Sequence, residues 1–158
     1  EGLLSEDIDF MIRLILHCAR FDCRAQPYYC YRQARAGSIT YGTRAENVRS
    51  LLSIIEKWVR LAQTDYRQYE RCIYAFLAYE YAVLIGVRGL TPKAKTKEEA
   101  SENDCLWREI RKLKFLLGHA RGARAKTIAF ACRIMGLRLT ALLASQYIRR
   151  RRACGRRR

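Results

Sequence analysis

The chain has 158 residues, half of them apolar and 29% charged, with a net charge of +16. That length supports one domain with one core, and the ordinary charged fraction excludes a globally disordered chain. So large a basic excess points to a polyanionic partner, either nucleic acid or an anionic membrane surface.

The charge is unevenly placed. Residues 110–158 contain no Asp or Glu and carry fifteen Lys or Arg, whereas the first 109 hold sixteen basic side chains against fifteen acidic ones. Two prolines and nine glycines leave long uninterrupted stretches, which favours an all-α fold. No uninterrupted run reaches the roughly 18 apolar residues of a membrane span, since Arg13 and Glu80 break the most apolar stretches. A membrane partner is therefore not expected. The first residue is Glu1 rather than Met, from which a processed or trimmed start is expected.

Ser5, followed by Glu6 and Asp7, reads as a helix cap with acids at the positive end. Ile8, Met11, Ile12, Ile15 and Ala19 recur at helical spacing, so a largely buried helix is expected over about 5–20. Residues 21–43 lose this period. Pro27, Gly37 and Gly42 punctuate them, and Tyr28, Tyr29 and Tyr31 suit an ordered loop laid over the core better than a stacking platform for bases.

Thr43 with Glu46 forms a capping box, behind which Val48, Leu51, Leu52, Ile55, Trp58, Val59 and Ala62 make one wide apolar stripe. Either one helix runs from 44 to about 85, or it breaks near Thr64-Asp65, where Asp65 and Gln68 offer a second cap. Tyr66, Tyr69, Tyr74, Phe76, Tyr79 and Tyr81 crowd its second part, more apolar surface than a monomer of this size readily covers.

Gly86-Val87-Arg88-Gly89-Leu90 reads as a turn. The next helix starts at Thr91-Pro92 or at Thr96, with a polar first half (Lys93 to Asp104) and a second half burying Leu106, Trp107, Ile110, Leu113 and Leu117. This arm and the 44–85 segment are expected to form an antiparallel hairpin with its tip at 86–90. Gly118 and Gly122 predict a bend at 118–123. A last helix over 124–148 should bury Ile128, Ala131, Cys132, Met135, Leu139, Leu142 and Leu143. Residues 1–148 thus read as a helical assembly domain. Residues 149–158 read as a tail in which Arg149, Arg150, Arg151, Arg152, Arg156, Arg157 and Arg158 bind nucleic acid.

Seven cysteines, an odd number without a C-x-x-C, suit a reducing compartment. Cys18, Cys72, Cys105 and Cys132 fall in apolar helical patterns and read as small hydrophobes. Cys18, Cys23 and Cys30 beside His17 have spacings too irregular for a zinc site, so no metal and no cofactor are expected. With His17 and His119 the only histidines, no Ser-His-Asp or Cys-His set assembles, and there is no phosphate or dinucleotide fingerprint. The chain does not read as an enzyme.

Three stretches resemble the capsid (core) protein of hepadnaviruses and of their non-enveloped fish relatives, the nackednaviruses. Arg49-x-x-Leu52 through Trp58 to Leu61-Ala62 looks like the family's ascending spike helix. Ile110-Arg111-x-Leu113-x-Phe115 looks like its descending helix. Thr127-Ile128 and Gly136 stand at the interval of its next helix, and the terminal arginine blocks match its basic tail in kind. The segment between Ala62 and Ile110 is longer than the mammalian pattern. The proline-rich stretch after the last core helix is missing, and the tail lacks Ser-Pro punctuation, as would suit the non-enveloped branch.

The resemblance implies a homodimer built by pairing two hairpins into a four-helix bundle, with Leu51, Ile55, Trp58, Trp107, Ile110 and Leu113 at the dimer interface. It further implies that dimers close into an icosahedral shell with RNA inside, in the virion and in the host cytoplasm or nucleus. Phe115 would line the pocket receiving a neighbouring dimer, and Tyr147, if exposed, would be an amphipathic anchor suited to that contact; the alternative is that both pack within one subunit. Two rival readings use the same charge. One is a small helical subunit of a ribonucleoprotein such as a ribosome. The other is a membrane-surface protein using 124–158 as a basic amphipathic helix.

Overall fold

The computed structural model describes residues 6–20, 22, 45–91 and 94–155, with 6, 45 and 151–155 described by backbone alone. The fold is all-α. Its helices are α1 (Glu6–His17), α2 (Ala45–Gln63), α3 (Glu70–Leu90), α4 (Lys97–Lys112) and α5 (Ala123–Gly155), with 3₁₀ turns at Arg67–Tyr69 and Leu113–His119. Ser5, the 21–43 loop with its tyrosines, the Thr43 cap, Cys23, Cys30, Pro92 and Arg156–Arg158 lie outside the described residues, Asp22 excepted.

α2 carries the stripe that its spacing predicts. Val48, Leu51, Leu52, Ile55, Trp58, Val59 and Ala62 are all buried, because an uninterrupted run of helix formers keeps one face in phase for five turns. The chain breaks at Thr64–Tyr66, the second of the two alternatives, and folds back into α3. Asp65 and Gln68 do not cap it: α3 starts after Tyr69 with no side-chain cap bond.

α3 is the central helix, packed against α2, α5 and the second 3₁₀ turn. Its Leu77, Tyr81, Leu84 and Ile85 are completely enclosed. The Tyr81 hydroxyl donates to the Ile110 carbonyl at 2.6 Å, tying the end of α4 to the core where that helix tightens and its carbonyls lose regular partners. Tyr74 meets Phe115 and His119 edge-on at 5.4 and 5.1 Å between ring centres.

The expected hairpin is corrected in two respects. Residues 86–90 are not its tip but the last turn and a half of α3, which ends at Leu90, and α4 begins at Lys97. α2 packs on α3, not on α4, whose links to the body run from Glu102 to Arg49, Asn103 to Arg88 and Asp104 to Arg138, and through the buried Ile110. Of the two candidate starts for α4, Thr96 is used: its hydroxyl accepts from the Glu99 amide at 3.2 Å, and the Glu99 carboxylate accepts from the Lys95 amide at 2.6 Å.

α1 is mostly exposed in the single chain. Only Ile12 is buried from its stripe; Met11, Ile15 and Ala19 face outward, against the expected buried helix. Asp9 docks it, accepting from Lys57 Nζ at 2.7 Å, Trp58 Nε1 at 2.8 Å and Arg13 Nε at 2.9 Å. Desolvation pushes the Asp9 carboxyl up, but these three donors outweigh it and hold it below the usual carboxylate range. Of the four cysteines read as small hydrophobes, Cys132 is buried as expected, whereas Cys18, Cys72 and Cys105 are exposed.

Candidate self-association and nucleic-acid surfaces

The C-terminal helix combines the apolar and the basic features of the chain, and its shape follows from one residue. Gly136 has φ 79° and ψ 168°, a conformation available to glycine and strained for other residues. It kinks α5 and resets the helical phase. Before the kink Ala125 and Cys132 face the core; after it Leu137, Thr140, Ala141 and Ser145 do. The straight stripe expected over 128–143 is therefore corrected: Met135, Leu139, Leu142 and Leu143 are exposed.

Small residues face the core because α5 crosses α3 closely. A Cβ on Gly89 would lie 2.0 Å from the Ala141 carbonyl oxygen, and one on Gly86 would lie 3.1 Å from Ile148 Cδ1. The buried hydroxyls are satisfied within the helix: Thr140 Oγ1 donates to the Gly136 carbonyl at 2.8 Å, and Ser145 Oγ donates to the Leu142 carbonyl at 2.7 Å. The larger apolar side chains are left outside. Phe130 is 67% exposed, Ile134 66% and Tyr147 61%. A groove of about 510 Å³ runs between the two helices, lined by Tyr79, Val83, Ile128, Leu143 and Tyr147 among others.

No protein-family model matches the chain, and no curated protein or solved structure matches it.

The residues singled out from the sequence fall into three groups. Leu51, Ile55, Trp58, Ile110 and Leu113 are sealed in the core of a single chain, and Trp107 is half-buried. Side chains so enclosed have little surface left to offer a second copy. Phe115 is 43% exposed with its edge on Tyr74, and Tyr147 stands at the groove. Arg149 and Arg150 are exposed on α5, which stays helical through Gly155, so the basic run begins on a helix and not in a tail.

Among the described residues, two helices are long and apolar enough to cross a membrane by length and composition. They are Arg67–Leu90 and Ala123–Arg150, whose most apolar 18-residue stretches have mean hydropathies of 1.4 and 1.5. Isolated charges such as Arg133 interrupt the apolar run without lowering its average enough to exclude it. Of that 18-residue stretch 56% is buried in the first helix, as in a core helix, and 22% in the second.

A cluster around Trp107 escaped sequence reading. Arg88 is buried, donates to Thr91 Oγ1 at 2.7 Å and Asn103 Oδ1 at 2.8 Å, and finds no partner for its Nε–H among the described residues. Its guanidinium lies 5.1 Å from the Trp107 ring centre, and that of Arg138 lies 5.9 Å away. Burial, and then the Arg138 charge, push the Arg88 guanidinium below its usual value. Arg88 sits among the residues that read as a turn, and nothing in the local pattern marks it as buried.

Proposed function

We propose that the protein is a capsid-type subunit that self-assembles through dimers into a closed icosahedral shell and holds RNA by its basic C-terminal segment. The observation that carries this is α5: its outer apolar face is left uncovered by the subunit and runs directly into Arg149 and Arg150. A contiguous apolar face of this kind marks an association surface. The arginines release counterions from phosphate, giving sequence-tolerant, salt-sensitive binding. Many copies in one shell add their valency, so weak single contacts retain a long RNA. The resemblance to hepadnavirus-type core proteins supports the same reading. The contact surface, however, moves from the α2 stripe to the outside of α5, with Tyr147 as an anchor.

Removing 149–158 tests the basic segment. Particles of the shortened chain should lose most of their RNA, read as the ratio of absorbance at 260 and 280 nm, while folded subunits persist because the core residues end at Ser145. Unchanged RNA content would overturn the assignment.

The exposure of α5 also favours a second reading, in which that helix seats in a lipid surface with its arginines at the headgroups. Flotation with anionic vesicles separates the two. The capsid reading expects the protein to sediment with its RNA, and the lipid reading expects it to float.

A further inference from the structure

The kink in α5 creates a second, smaller cavity on the body of the protein, away from the arginine run. It encloses about 430 Å³ and is lined by Trp107, Arg111 and Lys114 from one side and Gly136, Arg138 and Leu139 from the other. Three cationic residues are among those that line it. Arg138 Nη2 donates to Asp104 Oδ1 at 2.6 Å, and Asp104 is the carboxylate that bonds this group among the described residues. Arg111 and Lys114 form no ion pair among the described residues; the nearby Glu109 carboxylate bridges Lys112, at 2.7 Å, instead.

Arg88, its guanidinium 5.1 Å from the Trp107 ring centre, adds a buried fourth charge whose hydrogen bonds among the described residues go to neutral oxygens. Burying a guanidinium away from a counter-charge is costly, and the neighbouring Arg138 raises that cost. An anion beside Trp107 would offset both. The indole, with a guanidinium near its ring on two counts, fixes the direction of Arg138, and a planar guanidinium so held suits bidentate contact with phosphate oxygens.

We propose that this cavity is a phosphate site in which Arg111, Lys114 and Arg138 bind a phosphate group, carried either on an RNA backbone or on a free nucleotide. The volume admits a phosphate with its sugar, and the half-buried Trp107 edge supplies an apolar wall for it. The site needs neither shell closure nor the C-terminal arginines.

Lysine acetylation by an activated acetate ester, read residue by residue by mass spectrometry on the full-length chain, tests it in particles or in single subunits alike. Pyrophosphate and octauridylate are the probes. At several times the dissociation constant either should slow acetylation of Lys114 by about fivefold or more, as occupancy requires, while the exposed Lys97 on α4 keeps its rate. Arg111→Gln, an exposed position, should abolish the protection. Protection by pyrophosphate identifies free phosphate compounds as sufficient ligands, and protection by octauridylate alone identifies the RNA backbone; both support the site. Unchanged Lys114 reactivity with both probes, a fall matched at Lys97, or full protection in Arg111→Gln would overturn it. Loss of RNA packaging on tail deletion leaves the pyrophosphate result untouched, so the two proposals fail separately.

Discussion

Gly89 on α3 faces the backbone of Ala141 on α5 at a distance that admits no side chain. A Cβ there would meet the Ala141 carbonyl oxygen at 2.0 Å and its carbon at 2.6 Å. These are backbone atoms, so no rotamer change relieves the clash and the helices must separate. Gly89→Ala should therefore destabilise the fold by about 1–3 kcal/mol or more, the usual cost of overpacking, seen as a lowered midpoint in thermal unfolding. Gly86→Ala meets a flexible Ile148 methyl at 3.1 Å and should cost distinctly less. Equal effects at the two positions would contradict the crossing.

Trp58 and Trp107 looked equivalent in the sequence, one on each facing stripe, and they differ in the structure. Trp58 is 1% exposed and donates to Asp9. Trp58→Ala should cost about 3–5 kcal/mol, the range for emptying a buried aromatic site, and should release α1 as well. Trp107 is half-buried, so its truncation should cost less than that of Trp58. Chemical denaturation of both variants checks the order.

How much of this was legible depends on what each residue reports. The α2 stripe could be read in full because helix period and burial coincide there, with no glycine to shift the phase. α5 could not, because Gly136 resets the phase between Met135 and Leu137. The core side of that helix is made of Ala141, Thr140 and Ser145, which carry little hydrophobic signal, while the conspicuous Leu139, Leu142 and Leu143 face outward. Gly86 and Gly89 read as a turn because glycine serves tight turns and close helix crossings alike, and the tertiary contact alone decides between them. The Trp107 site was invisible for a related reason: its cations come from three separate segments, at 88, 111–114 and 138.

Glu80 supplies a pH test. Desolvation, followed by the Asp7 charge, raises its carboxyl from 4.5 to about 7. The folded state therefore holds a proton there that the unfolded chain has lost between those values. Its contribution to stability is full below about pH 4.5 and fades as the pH rises through about 7. For a half-buried group, solvent screening limits this to roughly 1–2 kcal/mol. Glu80→Gln should raise the melting temperature relative to the parent at about pH 8 and leave it nearly unchanged at about pH 4.5. A stabilisation independent of pH would exclude this titration.

The central claim is that the uncovered face of α5 brings copies of the chain together around RNA. Electron microscopy of the purified full-length protein, beside an Ile134→Asp variant, tests it most directly. Ile134 is 66% exposed and takes no part in the subunit core, so the variant should fold normally. The account predicts closed, RNA-containing shells for the parent chain and dispersed, folded subunits for the variant. A parent chain that remains monomeric and free of RNA at the same concentration would contradict it, as would shells that form equally well with aspartate at that position.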